Sequence, residues 1–141
     1  MNVTFALFAD AANISQEGKL NVLGVFDAIQ VASLPSVHPR ATLVVRLKGS
    51  RADVGTHTLG MRWLNPQGNE LWSSTGQLEV GAPPGAAAEM DLPLIASLDL
   101  PVDVAGAYRL NISFDEEPAA EVKLQVRGSV QNVMPASNMV S

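Results

Sequence analysis

The chain has no cysteine, two histidines and nine basic residues among its 141, and each shortage removes a class of function. Without thiols there is no disulfide framework, no thiolate metal site and no cysteine nucleophile, so packing and strand pairing alone must hold the fold. The basic residues Lys19, Arg40, Arg46, Lys48, Arg51, Arg62, Arg109, Lys123 and Arg127 stand singly against fourteen acids, for a net charge of -5. Nucleic acid and anionic membrane surfaces attract clustered, excess positive charge, so neither is an expected partner. The first ten residues carry no Lys or Arg and their apolar run breaks at Asp10, which does not fit a secretory signal. A cytoplasmic location is expected, and the Asn-x-Ser/Thr triplets at Asn2, Asn13 and Asn111 are then chance matches. No stretch reaches membrane-spanning length without a charge, Pro or Gly. A helical period and an internal repeat are missing too.

What the chain does have is alternation. Tyr108, Leu110, Ile112 and Phe114 alternate with Arg109, Asn111 and Ser113, and Val122, Leu124 and Val126 alternate with Lys123, Gln125 and Arg127. The connection Asp115-Glu116-Glu117-Pro118 is too short for a helical crossover, so these two strands are read as an antiparallel hairpin. Upstream, Val3, Phe5, Leu7 and Ala9 share one face, as do Leu43, Val45 and Leu47, then Leu59, Met61 and Trp63, and then Met90, Leu92, Leu94, Ala96 and Leu98. Residues 70–80 form another strand, entered through the turn Asn65-Pro66-Gln67-Gly68, and Pro93 assigns its own strand to an edge or a bulge. Residues 20–31 are apolar on both alternating faces, which predicts a strand covered on both sides or a register switch at Gly24. Residues 34–39, with two prolines, are read as extended loop.

The expectation is one all-β domain over residues 1–127, an antiparallel β-sandwich of about eight strands. A tail over residues 128–141 follows, and its Val130, Val133, Met134, Met139 and Val140 need cover from their own sheet or from a neighbour. Only 16% of residues are charged while 47% are hydrophobic. That leaves less polar surface than an ordinary monomer shows, so another chain is expected to cover part of it.

Two resemblances sharpen this reading. Asp103-Val104-Ala105-Gly106-Ala107-Tyr108-Arg109-Leu110 resembles the run that opens strand F of immunoglobulin-like domains, which implies a Tyr108 hydroxyl bonded to upstream backbone and a buried Leu110. Trp63 ahead of its Pro-Gly turn is similar to the strand C tryptophan of the same fold. Ala9-Asp10-Ala11-Ala12-Asn13, the stretch Gln16-Glu17-Gly18-Lys19-Leu20-Asn21-Val22-Leu23-Gly24-Val25-Phe26-Asp27, and Val37-His38-Pro39-Arg40 resemble an uncharacterised bacterial family of unknown function. That likeness implies a bacterial or phage source and brings no activity, cofactor or catalytic residue.

Asp10, Asn13 and Asp27, with His38, are the one cluster that could ligate a metal or pair a carboxylate with a histidine. Side chain to backbone bonds at a strand-to-turn junction account for the same residues, with His38 fixing a loop, and no metal is expected there. His57 has only Asp53 as a nearby acid, and no His-x-His spacing exists. Asp115-Glu116-Glu117 lacks the spaced oxygen ligands of a calcium loop and is read as a solvated hairpin tip. Gly18-Lys19 lacks the rest of a P-loop, and no serine lies in Gly-x-Ser-x-Gly. No catalytic residue, cofactor or metal is predicted. The expected protein is non-enzymatic and works by protein association, as a homo-oligomer or as an accessory subunit of a bacterial or phage assembly. The alternative is a ligand-binding sandwich that stacks carbohydrate on Trp72, with Trp63 in the core.

Overall fold

The computed structural model describes residues 1–82, 85 and 89–128. The cover expected for Val130, Val133 and the later apolar residues therefore lies outside the described residues. Among the described residues there are nine strands: β1 (Asn2–Ile14), β2 (Leu20–Phe26), β3 (Ala28–Gln30), β4 (Ser36–Ser50), β5 (Gly55–Leu64), β6 (Glu70–Val80), β7 (Glu89–Val102), β8 (Gly106–Phe114) and β9 (Glu117–Arg127). One 3-10 turn, Arg51–Asp53, separates β4 from β5. Among the described residues no helix is long and apolar enough to cross a membrane. The strands form two sheets, ordered β2-β1-β4-β7 and β3-β9-β8-β5-β6, antiparallel throughout except where β3 runs parallel to β9. With β1, β4 and β7 on one side and β9, β8, β5 and β6 on the other, this is an immunoglobulin-like sandwich.

Between the sheets lie Leu43, Val45 and Leu47 of β4 and Phe8 of β1, facing Trp63, Tyr108, Leu110, Ile112 and Leu124. The last five are each at most 2% exposed, so the register read from the sequence for β8 and β9 holds. Trp63 stacks on Tyr108 with ring centroids 5.2 Å apart and meets Phe8 edge-on at 6.2 Å. The tyrosine corner is formed as well. The Tyr108 hydroxyl accepts from the Asp103 amide at 2.8 Å and lies 2.7 Å from the Val104 carbonyl and from Asp103 Oδ1. Asn65, 1% exposed, buttresses it by donating Nδ2 to Asp103 Oδ2 at 2.9 Å while its Oδ1 accepts from the amides of Gln67 and Asn69. The hydrogen bonds from Tyr108 and then Asn65 hold the Asp103 carboxyl below its usual pKa.

Three readings of the sequence need correction. First, residues 20–31 are not one strand: the chain leaves the first sheet at Asp27 and joins the second as β3, which is why nine strands form rather than eight. The Asp27 carbonyl accepts from the Gln125 amide, and the Val31 amide donates to the Arg127 carbonyl. Phe26 then packs on the core from one sheet and Ile29 from the other, while Leu23 and Val25 are left exposed.

Second, a bulge between Val3 and Phe5 adds a residue to β1, and one extra residue moves the following side chains to the opposite face. Phe8, paired with Leu43, is therefore in the core, whereas Phe5, Leu7 and Ala9 oppose Arg46, Val44 and Thr42 on the outer face. Third, residues 36–39 are strand, not loop. β4 pairs with β7 from Ser36 onward, and the irregularity between His38 and Ala41 absorbs Pro39, whose missing N–H a regular ladder would reject. Arg40 takes a positive φ of 51 there, and its amide donates to Asp99 Oδ1.

Candidate functional site

The structure does not assemble Asp10, Asn13, Asp27 and His38 into a site. Asp10 is exposed beside Gly24, and the Asn13 carbonyl oxygen accepts from Asn21 Nδ2 at 2.9 Å across the β1–β2 ladder. Asp27 is the exposed bend between β2 and β3. His38 sits inside β4 opposite Leu100 with its ring tilted against Phe26 at 5.5 Å, so it packs within a strand rather than fixing a loop. Among the described residues no three His, Asp or Glu side chains gather into a metal-ligating group.

The other histidine has a partner that sequence reasoning missed. The β8–β9 turn has two residues, Asp115 and Glu116, both at positive φ (49 and 70), the primed geometry that matches strand twist. It swings Asp115 onto the start of β5: Oδ1 accepts from the Thr58 amide at 2.9 Å and Oδ2 lies 2.6 Å from His57 Nδ1. His57 Nε2 lies 2.6 Å from the Asp53 carbonyl, and the ring stacks on Phe114 at 4.9 Å. A carbonyl only accepts, so Nε2 bears a hydrogen, and the carboxylate favours another on Nδ1. The Asp115 hydrogen bond, helped by that carbonyl, raises the His57 pKa, and the same pair lowers that of Asp115. With both ring nitrogens engaged, the imidazole has no lone pair free to act as a base. It clamps the β8–β9 turn to β5 and to the Arg51–Asp53 turn. The tip is thus docked at Asp115 rather than simply solvated, and the signal for it was long-range register.

Trp72 stands directly opposite Trp63 on the β5–β6 ladder, so both indoles point inward. Their N–H groups cross to the first sheet, Trp63 donating to the Pro101 carbonyl at 2.8 Å and Trp72 to the Asp99 carbonyl at 3.1 Å. Trp72 is half-buried against the core. It stitches the edge of one sheet to the edge of the other, a placement that lends no support to a sugar platform.

The largest asymmetry is between the two outer faces. On the second sheet Arg62, Arg109, Asn111, Glu121 and Lys123 face outward, with ion pairs from Arg62 to Glu70 and from Arg109 to Glu121. On the first sheet the outward row is Phe5, Leu7 and Ala9 on β1, Val44 on β4, Ile95 on β7 and Val25 on β2, with Ala9 and Val44 covered within the chain. Of the six large hydrophobic side chains exposed among the described residues, five belong to this sheet: Leu23 (71%), Val25 (59%), Val37 (53%), Ile14 (47%) and Ile95 (37%).

Past Ala9, β1 leaves β4 and continues paired only with β2. The ribbon bends where Gly24, at φ +71, stands beside Asp10, so close that a Cβ there would collide with Oδ2. A cleft of about 410 Å³ is lined by Leu20 and Val22 of this hairpin and by Phe5, Arg46 and Pro93 of the sheet's outer face. The hairpin therefore curls back over part of that face. Lys19 and Asp91 also line the cleft, and the Asp91 carboxyl is held low chiefly by Arg46.

No curated protein matches the chain. An immunoglobulin-like protein from Pseudomonas aeruginosa, with a crystal structure at 1.50 Å, is similar over 89% of this chain and 95% of its own, at 14% identity and a TM-score of 0.39. The model of a family of unknown function, DUF6941, matches residues 4–127, and the chain belongs to that family.

Proposed function

We propose that the chain is a non-enzymatic interaction protein that self-associates through the outer face and free edge of its first sheet, as a homo-oligomer or as an accessory subunit of a larger bacterial or phage assembly. The observation that carries this reading is the concentration of exposed Leu23, Val25, Ile14, Val37 and Ile95 on one sheet while the other outer face is charged and ion-paired. Exposed apolar side chains gathered on one sheet are what an association site offers, and the ion pairs of Arg46 and Lys48 with Asp91 lie on the same sheet. The non-enzymatic part rests on the two histidines, one with both ring nitrogens engaged and one packed on Phe26, and on the lack of any thiol. Size-exclusion chromatography with light scattering, run from micromolar to submillimolar protein, should give a mass at least twice that of the chain. A stable single-chain mass over that range would overturn self-association.

A further inference from the structure

Each sheet has two edges, and an edge strand offers unpaired N–H and C=O groups to any other strand unless something blocks it. Three of the four are blocked. β3 is three residues long. β7 contains Pro93 and Pro101, and its Asp99 and Pro101 carbonyls are taken by the two indoles. β6 carries Glu70 and Glu79 near its ends and a polar run over residues 73–77. β2 reads Leu-Asn-Val-Leu-Gly-Val-Phe, with no charge and no proline, and among the described residues no backbone group of another strand pairs with its outer side.

We propose that this edge pairs antiparallel with the β2 edge of a second copy, about a two-fold axis through Leu23. The proposal rests on the self-association reading and names its register. In a continuous sheet, opposed residues share a face, so an axis must pass through a residue rather than between two. An axis at Val22 would set Asp27 against Glu17 of the second copy, two like charges. An axis at Gly24 would leave Lys19 and Asp27 facing uncharged residues. Lys19 and Asp27 flank β2 just outside its two ends, and only the axis at Leu23 brings Lys19 to the end of the ladder where Asp27 of the second copy lies, twice per dimer, with Leu23 on Leu23 and Val25 on Asn21 between them. Among the described residues neither Lys19 nor Asp27 makes an ion pair within its own chain, so both are available.

The lack of native cysteine makes cross-linking specific. Antiparallel partners have Cα atoms about 4.5 to 5.5 Å apart, within the roughly 4.4 to 6.8 Å that a disulfide spans. Leu23→Cys, at an exposed position, should form a disulfide dimer under mild oxidation at a concentration where the native chain is dimeric. Asn21→Cys should not, because its two copies would lie four residues apart along the strand, about 13 Å. Lys19→Asp should raise the dimer dissociation constant about threefold or more, and adding Asp27→Lys should restore it. Circular dichroism of each variant checks that the fold is retained. A native dimer in which Leu23→Cys fails to cross-link, or in which Asn21→Cys cross-links equally well, overturns the β2 pairing but not association through the face. A native monomer overturns both.

Discussion

The two outer faces of this sandwich share one core and differ in almost everything else. Behind the charged face of the second sheet, β8 and β9 alternate as ordinary half-buried strands should, apolar inward and polar outward. Behind the apolar face of the first sheet, β1 carries a bulge, β2 carries no charge, and even the central β4 places a fully buried Val44 on the outer side. The core therefore does not explain the second apolar row. Burial between the sheets stabilises the monomer, and so does the covered middle of the outer face, Ala9 and Val44, whereas the exposed Leu23, Val25 and Ile95 contribute little to the single chain and are left for association.

The largest expected effect lies where the two faces share their foundation. Leu110→Ala should cost about 2 to 5 kcal/mol in urea unfolding through lost transfer energy and the cavity left behind, whereas Leu23→Asp should move monomer stability by no more than about 0.5 kcal/mol. If the two variants lose stability alike, Leu23 belongs to the fold and the contrast between core and face collapses. Next, Tyr108→Phe strips the hydroxyl from the Asp103 and Val104 amides and should cost about 1 to 3 kcal/mol, with association unchanged.

A smaller effect concerns pH. The His57 pKa is raised, so its contribution to stability is complete below the unfolded value near 6.5 and fades as pH climbs through the raised folded value. Asp115 and Asp103 are lowered, so their contributions are complete above the unfolded value near 3.9 and fade as pH falls through the folded values. Thermal melts should peak between these limits, and Asp115→Asn should flatten the alkaline limb. An unchanged limb in that variant would mean that the clamp does not form. The smallest effect belongs to the charged face: Arg62→Ala removes an ion pair whose side chains are 57% and 41% exposed and should cost less than about 1 kcal/mol.

Where the sequence alternated cleanly, the structure was legible in it. Tyr108, Leu110 and Ile112, the Asn65-Pro66-Gln67-Gly68 turn and the edge position of Pro93 all stand where period and turn chemistry put them. The first 50 residues were harder because two bulges, near Thr4 and at Pro39-Arg40, reset parity without a glycine to mark them, and because residues 20–31 serve two sheets in turn. The His57–Asp115 clamp was out of reach for another reason. Its members are 58 positions apart, and only the register of β5 against β8 brings them together. Apolar excess in β2 was visible, and so was the need to cover it, but which face held it depended on those bulges.

Placing one negative charge on each outer face tests the central claim most directly. Val25→Asp on the first sheet and Gln125→Asp on the second should both fold, and sedimentation velocity at matched micromolar concentrations should return monomers for Val25→Asp and the native association state for Gln125→Asp. Equal behaviour of the two variants, whether both associate or neither does, would contradict the assignment of association to the first sheet.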